Sequence, residues 1–324
     1  MLKNLDYVSG LIRTGKLLHI SAAGELLGKL PRGNWIGGST EYFLDKAGGK
    51  ISGDLLDVRE LDFATYKFAS YDARSLPGVT RDAYPNGFSI IVLPFDSEVH
   101  KQYAQNAANY DDIFIKPIVG WISGVNLDKP GQSPLAVNGF SGEASSDKAV
   151  ALHVALPEDK SVSLNIINIF SPDEKGPLIE FAADGFSAQS CLVDGKETVL
   201  ADYIAKNKLD TKLPLVGDYF GAGINVSIKR IEGGAVYFYA PVFRDIGYRF
   251  AKPMENYAQA FKSHVGVIAD TECVFACNCI LNFLYGELEG KDLGAFYGPI
   301  TFGEIAYQLL NQTLVYLRVV DKNF

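Results

Sequence analysis

The segment NVSIKRIEGGAVYFYAPV, residues 225–242, decides the fold class. Its two halves, 225–231 and 235–242, are rich in the β-branched and aromatic residues that strands favour. The spacer between them contains Gly233 and Gly234, and glycine adopts positive φ without steric cost. The segment therefore predicts two antiparallel strands joined by a tight turn, which excludes a purely parallel sheet.

Outside this hairpin, short strand-like runs are interspersed with longer helical ones. Further strands are predicted at 17–20, 89–94, 117–123, 149–155, 162–170, 265–268, 274–278 and 313–320. Helices are predicted at 7–14, 24–30, 99–107, 200–207, 254–263, 281–289 and 302–310. This mixture predicts an α/β (α+β) chain with mixed, partly antiparallel sheets flanked by helices.

The length of the chain predicts two packed domains, because single cores usually stop growing near ~250 residues and this chain has 324. A break at residues 171–176 follows an apolar strand, so we place the boundary there and predict domains 1–172 and 173–324. Residues 126–146 are rich in glycine and proline. They predict a long loop of the kind that often covers a site.

The composition indicates a globular protein, with 48% hydrophobic and 21% charged residues. Thirty basic against 38 acidic side chains give a net charge of −8, which argues against nucleic acid and anionic membranes as partners. The longest stretch without a charged side chain, residues 273–286, is shorter than the ~20 residues of a membrane span. Charged residues also interrupt the first 16 positions, so the sequence predicts no signal peptide and a cytoplasmic location.

The carboxy-terminal part of the chain resembles a known family. The resemblance lies in VFAC (274–277), GELE (286–289), GAFYG (294–298), FGEI (302–305) and NQT (311–313). These segments resemble the end of FIST domains, which are prokaryotic sensory ligand-binding domains of signal transduction. Residues 30–38 and 120–125 look like an uncharacterised bacterial FIST-like family of about this length. The resemblance implies a sensor that binds a small polar molecule and signals through a separate protein.

Two positions depart from the FIST pattern. That pattern typically has an arginine two residues after the cysteine, where this chain has Cys279, so an anion held by that arginine would have no counterpart. Trp121 fills a position that a small residue usually holds. The resemblance therefore does not imply the identity of the ligand.

The predicted binding site centres on the aromatic, glycine-flanked stretch near the carboxy terminus. Its residues, with three from the first half of the chain, are Cys277, Tyr297, Gly298, Glu304, Asn34, Trp35 and Trp121. Glu304 is expected in the first turn of a helix, where the helix dipole alone can stabilise a carboxylate. A hollow lined by the Cys277 thiol and the Glu304 carboxyl is the hypothesis on which a ligand site here depends.

Three cysteines, Cys273, Cys277 and Cys279, share one parity and would face the same side of a strand. They can be small core side chains, or Cys277 can be the nucleophile of an enzyme acting on a small carbonyl or amide compound. Their spacing is not that of zinc motifs, so no metal site is predicted.

Four histidines stand far apart at positions 19, 100, 153 and 264. Some FIST-like sensors bind haem, so a histidine-ligated haem is an alternative cofactor, and the cofactor otherwise stays open. A scaffold that forms a homo-oligomer is a third possible role for the chain.

Overall fold

The computed structural model describes residues 1–129, 131–219, 221–254, 256–265 and 273–322. The helices in this part of the chain are α1 (Leu5–Arg13), α2 (Gly24–Leu27), α3 (Gly78–Asp82), α4 (Glu98–Asn106), α5 (Leu200–Asn207), α6 (Tyr257–Val265) and α7 (Ile280–Tyr285). No helix among these described residues is long and apolar enough to cross a bilayer.

The strands of the first half are β1 (Leu2–Lys3), β2 (Leu17–Ala22), β3 (Trp35–Ser39), β4 (Tyr42–Asp45), β5 (Gly48–Ile51), β6 (Leu56–Leu61), β7 (Tyr66–Tyr71), β8 (Gly87–Pro94), β9 (Ile118–Ser123), β10 (Ala136–Asn138), β11 (Glu143–Ser145), β12 (Ala149–Ala155) and β13 (Lys160–Ile167). Those of the second half are β14 (Ile179–Glu180), β15 (Gly185–Ala188), β16 (Ser190–Val193), β17 (Lys196–Val199), β18 (Leu215–Tyr219), β19 (Ala222–Val226), β20 (Ile228–Glu232), β21 (Ala235–Val242), β22 (Tyr248–Phe250), β23 (Phe275–Cys279), β24 (Gly298–Thr301), β25 (Glu304–Ala306), β26 (Gln308–Leu310) and β27 (Leu314–Asp321).

The chain divides into two compact units. The larger unit comprises Met1–Ile167, Phe261–Leu309 and Thr313–Phe324, and the smaller unit comprises Asn168–Ala260 and Leu310–Gln312. This division differs from the contiguous domains expected from a boundary at residue 172. The physical reason is strand pairing, since β24 pairs with β4, β25 with β9 and β27 with β13, which brings the carboxy-terminal strands to the first segment.

Three six-stranded sheets form the larger unit. Their strand orders are β1-β6-β2-β3-β10-β11 in the first sheet, β26-β25-β9-β8-β12-β7 in the second and β13-β27-β23-β24-β4-β5 in the third. Each sheet mixes parallel and antiparallel pairs, and helices lie between successive strands. The predicted fold class, mixed sheets flanked by helices, is confirmed.

Parallel pairs occur where a helix connects two strands. The pairs are β2 with β3 across α2, β8 with β9 across α4, and β23 with β24 across α7. A crossover helix is the ordinary connection between parallel strands, because the chain must return to the edge from which the first strand began. The carboxyl ends of both strands in a pair consequently lie at one edge of the sheet.

The first and second sheets approach each other closely at Gly38 of β3. A methyl group at this position would lie 2.6 Å from Cγ1 of Val92 in β8 and 3.0 Å from the Trp121 ring in β9. The opposite face of the first sheet packs against α1, where Val8 and Ile12 are buried. Glycine at position 38 therefore lets two apolar layers come into contact.

The smaller unit contains the hairpin that excludes a parallel sheet. Strands β20 and β21 pair antiparallel, and Gly233 and Gly234 adopt φ values of 61° and 79° in the turn between them. The predicted hairpin is confirmed. A second sheet of this unit, in the order β17-β16-β14-β22-β18-β19, packs around a core that includes Leu215 and Tyr248.

Two expectations about local structure differ from the structure. The helix predicted at 302–310 is wrong, because Glu304–Ala306 forms an antiparallel ladder with β9 and Tyr307 then turns the chain with a φ of 64°. The loop predicted at 126–146 contains β10 and β11, and β10 pairs with β3. Part of the strand predicted at 265–268 lies outside the described residues, and Val265 ends α6.

We expect Gly38→Ala to lower the free energy of unfolding by about 1–3 kcal/mol, since overpacking forces neighbouring side chains to shift. The control is Gly10→Ala in α1, where an added methyl group meets nothing within 4 Å. That change should leave stability equal or raise it by about 0.5–1 kcal/mol. Urea denaturation of both variants checks this prediction, and equal stabilities would contradict the close approach of the two sheets.

Candidate functional site

Glu304 occupies the centre of a buried polar cluster in the larger unit. It lies on β25 with no solvent exposure, and its Oε2 atom accepts hydrogen bonds from the Thr313 hydroxyl at 2.8 Å and the Thr313 amide at 3.3 Å. Its Oε1 atom lies 3.0 Å from the hydroxyl of Thr301. We call Glu304, Thr301, Thr313, Cys277 and Cys279 the buried acid centre.

Burial decides which form of Glu304 predominates. The Thr301 hydroxyl lies 3.0 Å from Glu304 Oε1 and 3.2 Å from the carbonyl oxygen of Asn278. Its one proton is shared between these two acceptors, so Thr301 stabilises the carboxylate only in part. Burial raises the pKa of Glu304 to about 8, although the threonine hydrogen bonds oppose the shift. The side chain is therefore mainly protonated at neutral pH.

Cys277 lies beside this carboxyl on β23. Its thiol is buried and donates to the carbonyl oxygen of Gly120 at 3.5 Å. Burial, followed by the charge of Glu304, raises the pKa of the Cys277 thiol well above its ordinary value. A catalytic cysteine requires the opposite shift, because the thiolate is the nucleophile. The arrangement favours a neutral, structural thiol over an activated one.

The structure brings Cys277 and Glu304 together, but it buries both. Neither side chain lines the cavities of about 200, 350 and 670 Å³ in the described part of the larger unit. Trp121 pairs with Glu304 in the β9–β25 ladder, yet its indole N–H donates to His19 Nε2 at 2.9 Å inside the core. The contacts of Cys277 and Glu304 are with hydroxyl groups and backbone, and a hollow between them stays a hypothesis.

The other predicted site residues are dispersed over the larger unit. Trp35 packs in the core under α1 and donates to the carbonyl of Pro31, and Asn34 donates to the carbonyl of Gly15. Gly298 begins β24. Tyr297, next to it, lines a cavity of about 670 Å³ beside α1 and β6.

Three of the four histidines, His19, His100 and His153, are buried, and the first and last hydrogen-bond to other side chains in the core. His19 Nε2 accepts from Trp121, and the two ring nitrogens of His153 contact the hydroxyls of Ser89 at 2.7 Å and Tyr71 at 2.9 Å. Burial lowers the pKa of both imidazoles to about 4, so both are neutral at pH 7. Haem ligation through the bonded nitrogens would require breaking these hydrogen bonds, and haem stays a prediction.

An open cavity with mixed polar and apolar walls lies where the carboxyl ends of parallel strands meet. Its volume is about 200 Å³, and its walls come from residues 23–25 after β2, 39–41 at the end of β3, 124–126 after β9, and 132, 133 and 135. We call it the strand-end cavity. Ser39 and Gly124 join two of its walls, because the Gly124 amide donates to the Ser39 carbonyl and the Ser39 hydroxyl donates to the Gly124 carbonyl.

Glu41 is the buried charged residue of this cavity. Its side chain is only 4% exposed, and its Oε2 atom accepts hydrogen bonds from Asn126 Nδ2 and Lys129 Nζ, each at 2.8 Å. Lys129 reaches in from the surface with a half-exposed side chain. A buried carboxylate keeps its charge only when partners replace water, and here an amide and an ammonium do so.

Residues 300–302 contact residues of the strand-end cavity wall as well as the buried acid centre. The Thr40 hydroxyl, on the cavity side, donates to the carbonyl of Ile300 at 2.8 Å. Thr301 contacts Glu304, and the ring of Phe302 packs so tightly against Gly124 that a side chain at Gly124 would overlap it. The segment that carried the resemblance to FIST domains therefore supports the cavity from behind.

Sequence reasoning missed Glu41 because nothing near it in the chain indicates a site. Its partner Asn126 stands 85 residues away and reaches it only because the first sheet packs against the second. One signal was present, since the glycine- and proline-rich residues 126–146 were expected to cover a site. Asn126, Gln132 and Ser133, all from this region, line the cavity.

The comparisons with known proteins define a family. Residues 3–320 match the model of the family of unknown function DUF6976, and the chain belongs to this family. Comparison with curated proteins and with solved structures finds no match.

We expect the four cysteines of the native protein to resist iodoacetamide at about pH 8, because all are buried and a neutral thiol reacts slowly. They should react once urea unfolds the chain. Peptide mass spectrometry measures labelling of Cys277 directly, and rapid modification of this thiol in the folded protein would show that it is activated.

We expect the stability of the protein to fall as pH rises from about 4.5 to about 8, because Glu304 ionises in the unfolded chain before it does in the folded one. The contribution of neutral Glu304 to the stability is fully present below about pH 4.5 and is lost above about pH 8. Glu304→Gln should remove it, so the stability of the variant relative to wild type should increase by up to roughly 1.4 kcal/mol per pH unit in this window.

Urea denaturation at several pH values measures this difference. Glu158→Gln, which removes an exposed carboxyl, is the control for the loss of one negative charge. A stability difference between Glu304→Gln and wild type that does not change with pH would show that Glu304 is ionised in the folded protein.

Proposed function

We propose that this chain is a sensory protein that binds a small polar molecule in the strand-end cavity. The position of the cavity carries the proposal. It lies beyond the carboxyl ends of β2, β3 and β9, the edge at which α/β sheets generally bind ligands. Hydroxyl, amide and carboxyl groups line it, and such groups orient a polar ligand.

The size of the cavity limits the ligand. Its volume of about 200 Å³ is below the roughly 300–1,000 Å³ of pockets that take drug-sized ligands. An amino acid, a small amine, a small carboxylate or a polyol fits this volume. A nucleotide or a haem is too large for it.

The sensory role rests on the resemblance of residues 274–313 to FIST domains. Such a sensor transmits the binding event to a separate signalling protein, and residues 300–302 connect the cavity with the buried acid centre of that region. We place the protein in the cytoplasm, because none of its four cysteines, all within the described residues, is in a disulfide bond, as is typical of a reducing compartment.

Thermal unfolding against a panel of amino acids, small amines, small carboxylates and polyols tests this proposal. At least one class should raise the melting temperature by roughly 3–6 °C at saturating concentration, because a ligand that binds only the folded state stabilises it. Ser133→Phe should abolish the shift, since Ser133 is an exposed residue of the cavity wall and a phenyl ring would fill the space.

Ser187→Phe is the matched control, because Ser187 is an exposed serine of the smaller unit and does not line the cavity. This variant should respond to the ligand as wild type does. The proposal fails if no class shifts the melting temperature, or if the shift survives in Ser133→Phe.

A further inference from the structure

The two oxygens of the Glu41 carboxylate have different surroundings. Both of its hydrogen bonds, from Asn126 and Lys129, fall on Oε2. Oε1 accepts no hydrogen bond from any residue in the described part of the chain. A carboxylate oxygen has lone pairs for about two donors, and Oε1 keeps enough solvent access to receive them. The side chain borders the strand-end cavity, so a donor group of a ligand in the cavity can replace water at Oε1.

The two hydroxyl groups that precede Glu41 in the cavity wall donate elsewhere. The single proton of Ser39 is directed to the Gly124 carbonyl, and that of Thr40 to the Ile300 carbonyl. Neither hydroxyl therefore has a proton left for Oε1 of Glu41. A ligand with N–H or O–H groups can supply this donor.

The charges around the cavity favour a cation over a neutral donor. Glu25 and Glu41 line it, and each has one lysine partner, Lys29 at 2.6 Å and Lys129 at 2.8 Å. The carboxylate of Asp54 also interacts electrostatically with Lys129. The three carboxylates of Glu25, Glu41 and Asp54 against two lysines leave one excess negative charge. The pKa of Lys129 is raised, first by its hydrogen bond to Glu41 and then by these carboxylates, as expected of a negative field.

We propose that the ligand of the strand-end cavity carries a primary ammonium group, and that this group donates to Oε1 of Glu41. The inference rests on the proposed function and specifies its ligand class, a small amine or amino alcohol. Lys129 is the internal competitor for the same carboxylate, since its ammonium neutralises the charge that attracts the ligand. Glu41 and Lys129 should therefore affect affinity in opposite directions.

Three probes of nearly equal size test the inference: serinol, which has an ammonium group, glycerol, which is neutral, and glycerate, which is an anion. Binding is measured by NMR titration and by melting temperature with the full chain. Serinol should bind wild type about tenfold more tightly than glycerol, and glycerate more weakly than glycerol, since a hydrogen bond between charged groups is stronger than a neutral one.

Two variants separate recognition from folding. Glu41→Gln keeps the size and the Asn126 contact but should lose the preference for serinol over glycerol. Lys129→Gln should bind serinol more tightly than wild type, by about tenfold, because the carboxylate loses its internal cation. Lys101→Gln removes another half-exposed, ion-paired lysine on α4 and should leave serinol binding unchanged.

The inference is overturned if glycerol or glycerate binds as tightly as serinol, if serinol does not bind, or if Glu41→Gln retains the preference. It is also overturned if Lys129→Gln weakens serinol binding. None of these results decides the proposed function, which depends on whether any panel compound binds wild type and loses its effect in Ser133→Phe. The two proposals can therefore fail separately.

Discussion

The parallel pairing of β2 with β3, and of β8 with β9, is the constraint on which the strand-end cavity depends. Parallel strands that start at one edge of a sheet also finish at one edge, and the backbone ladder stops there. Turn residues, and not another strand, then surround the space beyond. The first sheet also packs against the second, so Glu41 after β3 and Asn126 after β9, far apart in the chain, share a hydrogen bond at the cavity wall.

Two buried carboxyl groups in the larger unit are stabilised in different ways. Glu304 has hydroxyl and amide partners but no cation among the contacts described, and its raised pKa keeps it mostly neutral. Glu41 has Lys129 as an ion-pair partner. A neutral acid surrounded by hydrogen bonds suits a packed core, whereas an ion pair beside an open cavity suits recognition. Because of this contrast, we place the candidate site at the strand ends and not in the carboxy-terminal segment.

Local patterns predicted several elements well and one badly. The hairpin around Gly233 and Gly234 follows from turn chemistry within a few residues, and β27 follows from an apolar run. Residues 302–310 carry a helical pattern, yet Glu304–Ala306 pairs with β9, because a long-range ladder outweighs a weak local preference. Cys277 and Glu304 were expected to be neighbours, and they are. Whether a hollow lies between them depends on side-chain packing, which the sequence does not give.

The sequence by itself determined the fold class, the acidic charge, the burial of the cysteines as one of their possible roles, and the hairpin. Each of these depends on composition or on residues close in the chain. Tertiary structure alone decided that Trp35, Tyr297 and Glu304 lie in separate places, and that Glu41 faces a cavity. The physical reason is that this site is built from turns at the strand ends of two sheets, which only the packing of those sheets brings together.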